Sequence, residues 1–273
     1  MKRILIFLLF FDCLTGLAQG IRSPLITRYT GIGTYSSTFT DVFSFASNQA
    51  ALSKVKSIMS GIYAERRFML KELDRYAAAI AIPFRHGGVG ISALHTGSSH
   101  YRESQLGLAY GRALGESVSL GVQFNYHLIS IAGYGNSGAM HAEIGSIIHL
   151  TDNLHAGVHV YNLLNSKLKN EMSRKLPAIY TLGLGYELSE SIYMSAEVAK
   201  EEGQPVNMNI AVHYSLVKQL FLRGGIATGS NQFFFGTGMK WKNARMDVVG
   251  TYHPQLGVTP SLLLIFSKPG EKE

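Results

Sequence analysis

From residue 57 to residue 267, apolar and polar positions alternate in one segment after another. In the stretch 153–161, Asn153, His155, Gly157, His159 and Tyr161 fall on one side, and Leu154, Ala156, Val158 and Val160 on the other. A period of two marks a strand with two chemically different faces. The alternation predicts strands at 57–65, 75–84, 88–97, 103–112, 117–130, 138–150, 153–162, 177–187, 191–199, 206–216, 219–227, 232–242, 245–253 and 258–267. These fourteen are mostly near the ~9–11 residues a tilted strand needs to cross a membrane.

The connections are read as short and long in strict turn. "RHG", "ALGE", "TD", "LSE", "VK" and "NA" are short; 66–74, 98–102, 131–137, 163–176, 200–205, 228–231 and 254–257 are longer. Short turns on one side, longer loops on the other and an even strand number are the plan of an outer-membrane barrel. That plan puts both termini in the periplasm. The first hairpin is open to a second reading, because "AERRFMLKELDRYAAAI" also writes as an amphipathic helix, which would lower the strand count.

The two faces decide which solvent each meets. In 117–130 one face carries Val118, Leu120, Val122, Phe124, Tyr126 and Leu128, and the other Ser119, Gly121, Gln123, Asn125 and His127. In 206–216, Val206, Met208, Ile210, Val212 and Tyr214 oppose Asn207, Asn209, Ala211, His213 and Ser215. A soluble barrel would show a charged outer face. Here the polar face is Ser, Asn, Gln, Gly and His, which suits a lumen, and the apolar face then meets lipid. A Lys or Arg on that lipid face near the midplane would cost ~2–4 kcal/mol. Tyr126, Tyr186, Tyr214 and Trp241 lie near strand ends on the apolar face, where interface girdles belong. Glycines on the polar face (Gly121, Gly157, Gly183, Gly185, Gly225, Gly236, Gly238) relieve curvature and leave room for a plug.

Composition agrees. Gly (29), Tyr (14) and Phe (14) are abundant, only 16% of residues are charged, and mean hydropathy is +0.10. Residues 1–18 read as a secretory signal peptide: Lys2 and Arg3, then the short apolar run 4–11, then small residues with cleavage after Ala18. Cys13 is the only cysteine and lies in that signal, so the mature chain has no thiol chemistry. Cleavage lowers the formal charge from +7 to +6 through loss of Lys2, Arg3 and Asp12. The remaining charge is not arranged as a nucleic-acid patch. Residues 19–56 show no alternation and are read as an irregular N-terminal periplasmic or plug segment, with 57–267 the barrel and 268–273 a periplasmic tail.

Two groups of residues invite chemistry. His127, His141, Glu143, His149, His155 and His159 all phase to the polar face of consecutive strands, and residues two apart on one face lie roughly 6.5–7 Å apart. A metal would need three or four of them. The plainer reading, a polar lumen wall of neutral imidazoles bonded to the plug, is preferred. His213 and Ser215 have the H-x-S spacing of outer-membrane lipid hydrolases, a base beside a nucleophile. Their phase turns both inward, away from lipid, with no third group in view to orient the His.

Some stretches carry a family resemblance. "TDVFSFASNQAAL" (40–52) is similar to an N-terminal signature in which an acidic residue is followed by Asn-Pro-Ala-x-Leu, with Gln49 standing where the proline would be. "GIYAERRFMLKELDRYAAAIAIPFRHGGVGISALHTGSSHYRE", "GYGNSGAMHAEIGSI" and "GVHVYNLLNSKL" also fit. Together they resemble outer-membrane barrels of the long-chain fatty-acid transporter superfamily, and more closely the PorV/PorQ-like proteins of Bacteroidetes. The resemblance implies a fourteen-stranded barrel with the N-terminal segment in its lumen. It also implies import of hydrophobic molecules, or service as an accessory subunit of the type IX secretion system. The last strand, "VTPSLLLIFS", is similar to the signal read by the outer-membrane assembly machinery.

The expectation is therefore an all-β, transmembrane, antiparallel up-and-down barrel of about fourteen strands with an N-terminal plug, in the outer membrane of a Gram-negative bacterium. It is a non-enzyme without metal or cofactor that binds or passes a small hydrophobic compound. A secretion accessory role is the alternative and a lipid hydrolase the lesser one. The expected lumen-lining residues are Gln123, Asn125, His127, His141, Glu143, His155, His159, Asn207, Asn209 and His213, with Asp41, Asn48 and Gln49 on the plug. The expected partners are outer-membrane lipid, the assembly machinery, secretion-system subunits and a hydrophobic small molecule, with no nucleic acid.

Overall fold

A computed structural model describes residue 29, residues 31–168 and residues 175–268. The expected signal peptide, residues 19–28 of the N-terminal segment and the tail beyond residue 268 lie outside the described residues.

The fourteen strands are β1 (Met59–Arg66), β2 (Asp74–Phe84), β3 (Gly87–Gly97), β4 (Tyr101–Leu114), β5 (Val118–Ile131), β6 (Gly135–His149), β7 (Leu154–Tyr161), β8 (Ile179–Glu187), β9 (Ile192–Glu201), β10 (Val206–Ser215), β11 (Leu220–Ala227), β12 (Gln232–Trp241), β13 (Ala244–His253) and β14 (Gly257–Ser267). Each pairs antiparallel with its chain neighbours, and β1 pairs with β14, so the sheet closes on itself. Closure removes every strand edge and satisfies the backbone internally, as a membrane span requires.

The period-two pattern drives this. Leu106, Phe124, Leu182 and Phe235 point outward and are about 60% exposed, while Gln105, Gln123, Asn125 and His141 point inward and are buried. A continuous outer belt of such side chains is stable in lipid and not in water. Tyr126, Tyr186, Tyr214 and Trp241 lie in that exposed outer face, as phased. Any one-residue slip would carry the inward polar row into hydrocarbon, which fixes the register.

Two expectations need correction. The strict alternation of short and long connections does not hold. Strands β4 and β6 run further than the alternation suggested, so 98–100, 132–134 and 254–256 are as short as turns at the opposite mouth. The ladder continues through polar residues such as Asn136 and Ser137, whose backbone pairs with Ser130 and Ile129 regardless of side-chain pattern. Only 67–73 and 162–178 remain extended. The alternative helix in the first hairpin does not form. Phe68 and Met69 adopt φ of 53° and 61°, which a right-handed helix cannot contain. Short 3-10 turns Arg67–Met69 and Lys71–Leu73 cross between strands, and Arg66 closes the hairpin on Asp74 with two 2.8 Å hydrogen bonds.

The N-terminal segment lies inside the barrel, near the mouth where β1 begins and β14 ends. It is a chain of 3-10 turns, Ile32–Tyr35, Ser44–Ala46 and Gln49–Lys54. Its Tyr29, Ile32, Phe39, Val42, Phe43, Phe45 and Leu52 are buried against inward residues of the wall. The expected plug is thus present, and it supplies much of the apolar core.

Candidate functional site

The plug meets the wall in three places, each built from a different chemistry. The first lies on β4–β7, whose first three members are the longest strands, at 14, 14 and 15 residues. Asn48 caps the turn Gln49–Lys54 by accepting from the Ala50 N–H, and its amide donates to the main-chain carbonyls of Ser146 and Val158 at 3.1 Å each. Gln49 follows it into the lumen and donates to Glu143 Oε2 at 2.8 Å. Glu143 also accepts from Asn125 Nδ2 at 2.6 Å and lies 3.0 Å from His159 Nε2 and 3.5 Å from His141 Nε2. Gln105 and Gln123 both donate to Asn125 Oδ1. One buried carboxylate thus sits at the centre of amides and imidazoles, and the plug supplies one of its donors. Charge-assisted bonds of this kind are the stronger ones.

Small wall residues make that contact reachable. Gly111, Gly121 and Gly145 stand side by side across β4, β5 and β6. A methyl group on any of them would overlap the backbone of Gln49 and Ala50 or the side chain of Asn48. Gly157 and Gly183, paired across β7 and β8, leave the slot for the Tyr35 ring.

The second contact lies on β8 near the terminal mouth. Glu187 Oε1 accepts from Ser36 Oγ and Ser37 N at 2.7 Å and from Thr38 N at 3.2 Å, and its Oε2 accepts from Thr38 Oγ1 at 2.8 Å. His155 Nε2 is 3.5 Å from the same carboxylate, and its Nδ1 is 2.8 Å from His149 Nδ1.

The third contact, on β10–β13, is ionic and aromatic. Plug Asp41 accepts from Arg245 Nη1 at 2.9 Å and lies 3.8 Å from Arg223 Nη1. Arg245 Nε donates to Asp247 Oδ1 at 2.9 Å, and the hydroxyl of plug Tyr29 donates to Asp247 Oδ2 at 3.0 Å. Arg223 Nε donates to His213 Nδ1 at 2.8 Å. The rings of Phe221 and Tyr29 lie under the guanidinium groups, and Phe39 and Phe221 flank His213. Two acids and two guanidinium groups balance inside an aromatic lining.

The sequence-expected residues therefore do not form one site. Gln123, Asn125, His141, Glu143 and His159 gather around Gln49, and His127 joins them weakly through Gln105 at 3.5 Å. His155 belongs with Glu187. Asn207 and Asn209 bond each other, with Glu197 3.4 Å from Asn209, away from the first group. Asp41 and His213 sit in the ionic contact. Sequence reasoning missed Glu187, Arg223, Arg245, Asp247 and Tyr29. Arg223, Arg245 and Asp247 share the inward phase of their strands, and that was the available signal.

His213 Nε2 is 3.1 Å from Ser215 Oγ. An arginine side chain can only donate, so Nδ1 of His213 is the acceptor and the ring proton sits on Nε2. In that tautomer the imidazole donates towards the serine, where a general base would present a lone pair. The pair is also turned into the lumen, as its phase required. Among the described residues no group of three or more His, Cys, Asp or Glu is arranged to hold a metal.

The fold is that of known channels. It is similar to the monoaromatic hydrocarbon channel CymD (TM-score 0.64, 11% identity, 90% of this chain and 97% of that one). It is likewise similar to the toluene transporter TodX of Pseudomonas putida (0.64, 12%, 89% and 98%) and to a FadL homologue of Pseudomonas aeruginosa (0.55, 11%, 88% and 97%). No protein-family model and no curated protein sequence matches the chain. At these identities what is shared is the fold.

Proposed function

We propose that this protein resides in an outer membrane with both termini in the periplasm, and binds or passes a small hydrophobic compound through a plugged lumen. The observation that carries the proposal is the plug itself, seated in a wall cut to receive it, within an architecture shared with hydrocarbon channels over about nine-tenths of this chain. A wall bonded to a folded segment at three places suits a gated path rather than an open aqueous pore. Asp41, Asn48 and Gln49 are the plug side of that gate. Gln123, Asn125, His127, His141, Glu143, His155, His159, Asn207, Asn209 and His213 line the wall. Export by residues 1–18 and insertion by the barrel assembly machinery through β14 complete this reading, and lipid surrounds the outer belt. The same features favour a non-enzymatic role.

The test is uptake of labelled toluene and of a labelled long-chain fatty acid by cells lacking the gene, at low external concentration. Uptake of at least one is expected to fall and to return with the gene. Unchanged uptake of both would overturn the proposal.

A second reading, an accessory subunit of a type IX secretion system of the PorV/PorQ kind, is favoured by the longest loop, 162–178. Asn162 anchors it by donating to the Leu176 carbonyl and accepting from the Ser166 N–H, while Leu163 and Leu164 stand exposed beside the mouth. Loss of surface-attached cargo with unchanged uptake in the same deletion strain would select it.

A further inference from the structure

The lipid-facing belt carries a concave site. On its outer face the register lines up Leu264, Ile62, Ala78 and Ala93 across β14–β3, and one row higher Leu262, Ala64, Tyr76 and His95. Ala64, Ala78 and Ala93 stand where neighbouring rows carry bulky side chains, and the dent they leave between Ile62, Tyr76 and Leu264 is a cavity of about 430 Å³. That volume lies within the range of small-molecule sites, and apolar atoms form nearly all of its wall.

One end of this groove is polar. His95 closes the upper row, and its Nδ1 is 3.0 Å from Ser104 Oγ of β4, a hydrogen-bonded pair on an otherwise apolar surface. One step further towards the mouth, roughly 6.6 Å along the strand, stands the rim. Arg66 is neutralised there by Asp74. Arg102, opposite Gly97, is exposed and has no ion-pair partner among the described residues. An apolar trough that ends on an imidazole, a hydroxyl and an uncompensated guanidinium group is complementary to one kind of molecule: an acyl chain joined to an anionic head.

From this geometry we infer that the outer face of β14–β3 binds one acyl chain of a membrane lipid whose headgroup is net anionic, with that headgroup on Arg102 and the His95–Ser104 pair. The general lipid belt accepts any chain. This site adds shape, through the three alanines, and charge selection, through Arg102. It does not depend on what the lumen carries, so an uptake result leaves it standing.

The probes are phosphatidylglycerol and phosphatidylcholine with identical chains, added to the purified full-length barrel in detergent and counted by native mass spectrometry. The wild type is expected to retain phosphatidylglycerol about fivefold better, the worth of one cation near a lipid surface. Ala78→Phe fills the trough while keeping the lipid face apolar, and is expected to lose retention of both lipids. Ala78→Val, a gentler filling, is expected to lose part of it, and unchanged thermal midpoints show that the barrels are intact. Arg102→Gln is expected to bring phosphatidylglycerol down to the level of phosphatidylcholine. Equal retention of the two lipids by the wild type, or undiminished retention by a folded Ala78→Phe barrel, would overturn the inference.

Discussion

The plug is held on two opposite sides of the lumen by different physics. On β4–β7 the contact is amides and imidazoles around one carboxylate, reached because Gly111, Gly121 and Gly145 let the plug backbone approach the wall. On β10–β13 it is two buried acids and two buried guanidinium groups packed between aromatic rings. The first contact is short-range and shape-dependent, and every donor lost removes one bond. The second is balanced as a set. Deleting one member leaves another charge buried without its counterion, which costs far more than the deleted interaction contributed. The ionic side is thus the all-or-none latch, and the amide side tolerates partial damage.

The largest expected effect tests that difference on the ionic side. Arg245→Ala leaves Asp41 and Asp247 buried together without their nearest cation. Loss of one partner from such a pair costs about 3–5 kcal/mol. The expected outcome is a folded barrel whose plug is cut by protease within residues 29–56, with protection lost around Asp41 first. An Arg245→Ala plug as resistant as the wild type would mean that the aromatic packing alone holds this side. The double variant Arg245→Ala/Asp41→Ala sharpens the point. It should recover part of the loss, because the plug's own unpaired charge is gone.

Next in size is the fit of the plug to the wall. A side chain at Gly183 would occupy the space of the Tyr35 ring. Gly183→Val is expected to displace Tyr35 and to cost about 3 kcal/mol, the upper part of the range for overpacking. The combined variant Gly183→Val/Tyr35→Ala should regain much of it, measured as the urea midpoint for loss of plug protection in hydrogen exchange. If Gly183→Val alone leaves that midpoint unchanged, the slot does not hold the plug.

The two contacts were not equally legible in the sequence. The barrel and the two faces of its strands follow from period two, while in the sequence the strand number stays open at the first hairpin, which also writes as a helix. Period two also gives the inward direction of Gln123, Asn125, Glu143 and His159, which sit close together on β5–β7. The glycines on the polar face gave a reason to expect a plug. The ionic contact stayed hidden because its members are scattered: Asp41 and Arg245 are 204 residues apart, and each reads in its own segment as a lone charge. Arg223 and Asp247 lie on the polar phase, but phase gives direction and not convergence. Loop lengths misled for a related reason. Strand ladders run on through polar residues wherever a neighbour offers backbone, and the side-chain pattern does not record that.

The smallest expected effect is at the position where this chain departs from the signature it resembles. Gln49 is the first residue of the turn Gln49–Lys54, and Asn48 before it is extended, with φ −158° and ψ 116°. Proline is tolerated at a first helical position, and its preceding residue prefers that extended region. The backbone therefore accepts Gln49→Pro, and what is lost is the amide donor to Glu143. That bond is worth about 1.5–3 kcal/mol as one to a charged group, while the restricted unfolded chain returns roughly 0.4–1 kcal/mol. Gln49→Leu loses the same bond without that return and should be the less stable of the two by a similar margin in a urea titration of plug protection. Gln49 bonds the wall, and the turn keeps its shape through the Asn48 cap. Were Gln49→Pro to release the plug as fully as Arg245→Ala does, the amide side would be a latch of equal rank, and the distinction between the two sides would fail.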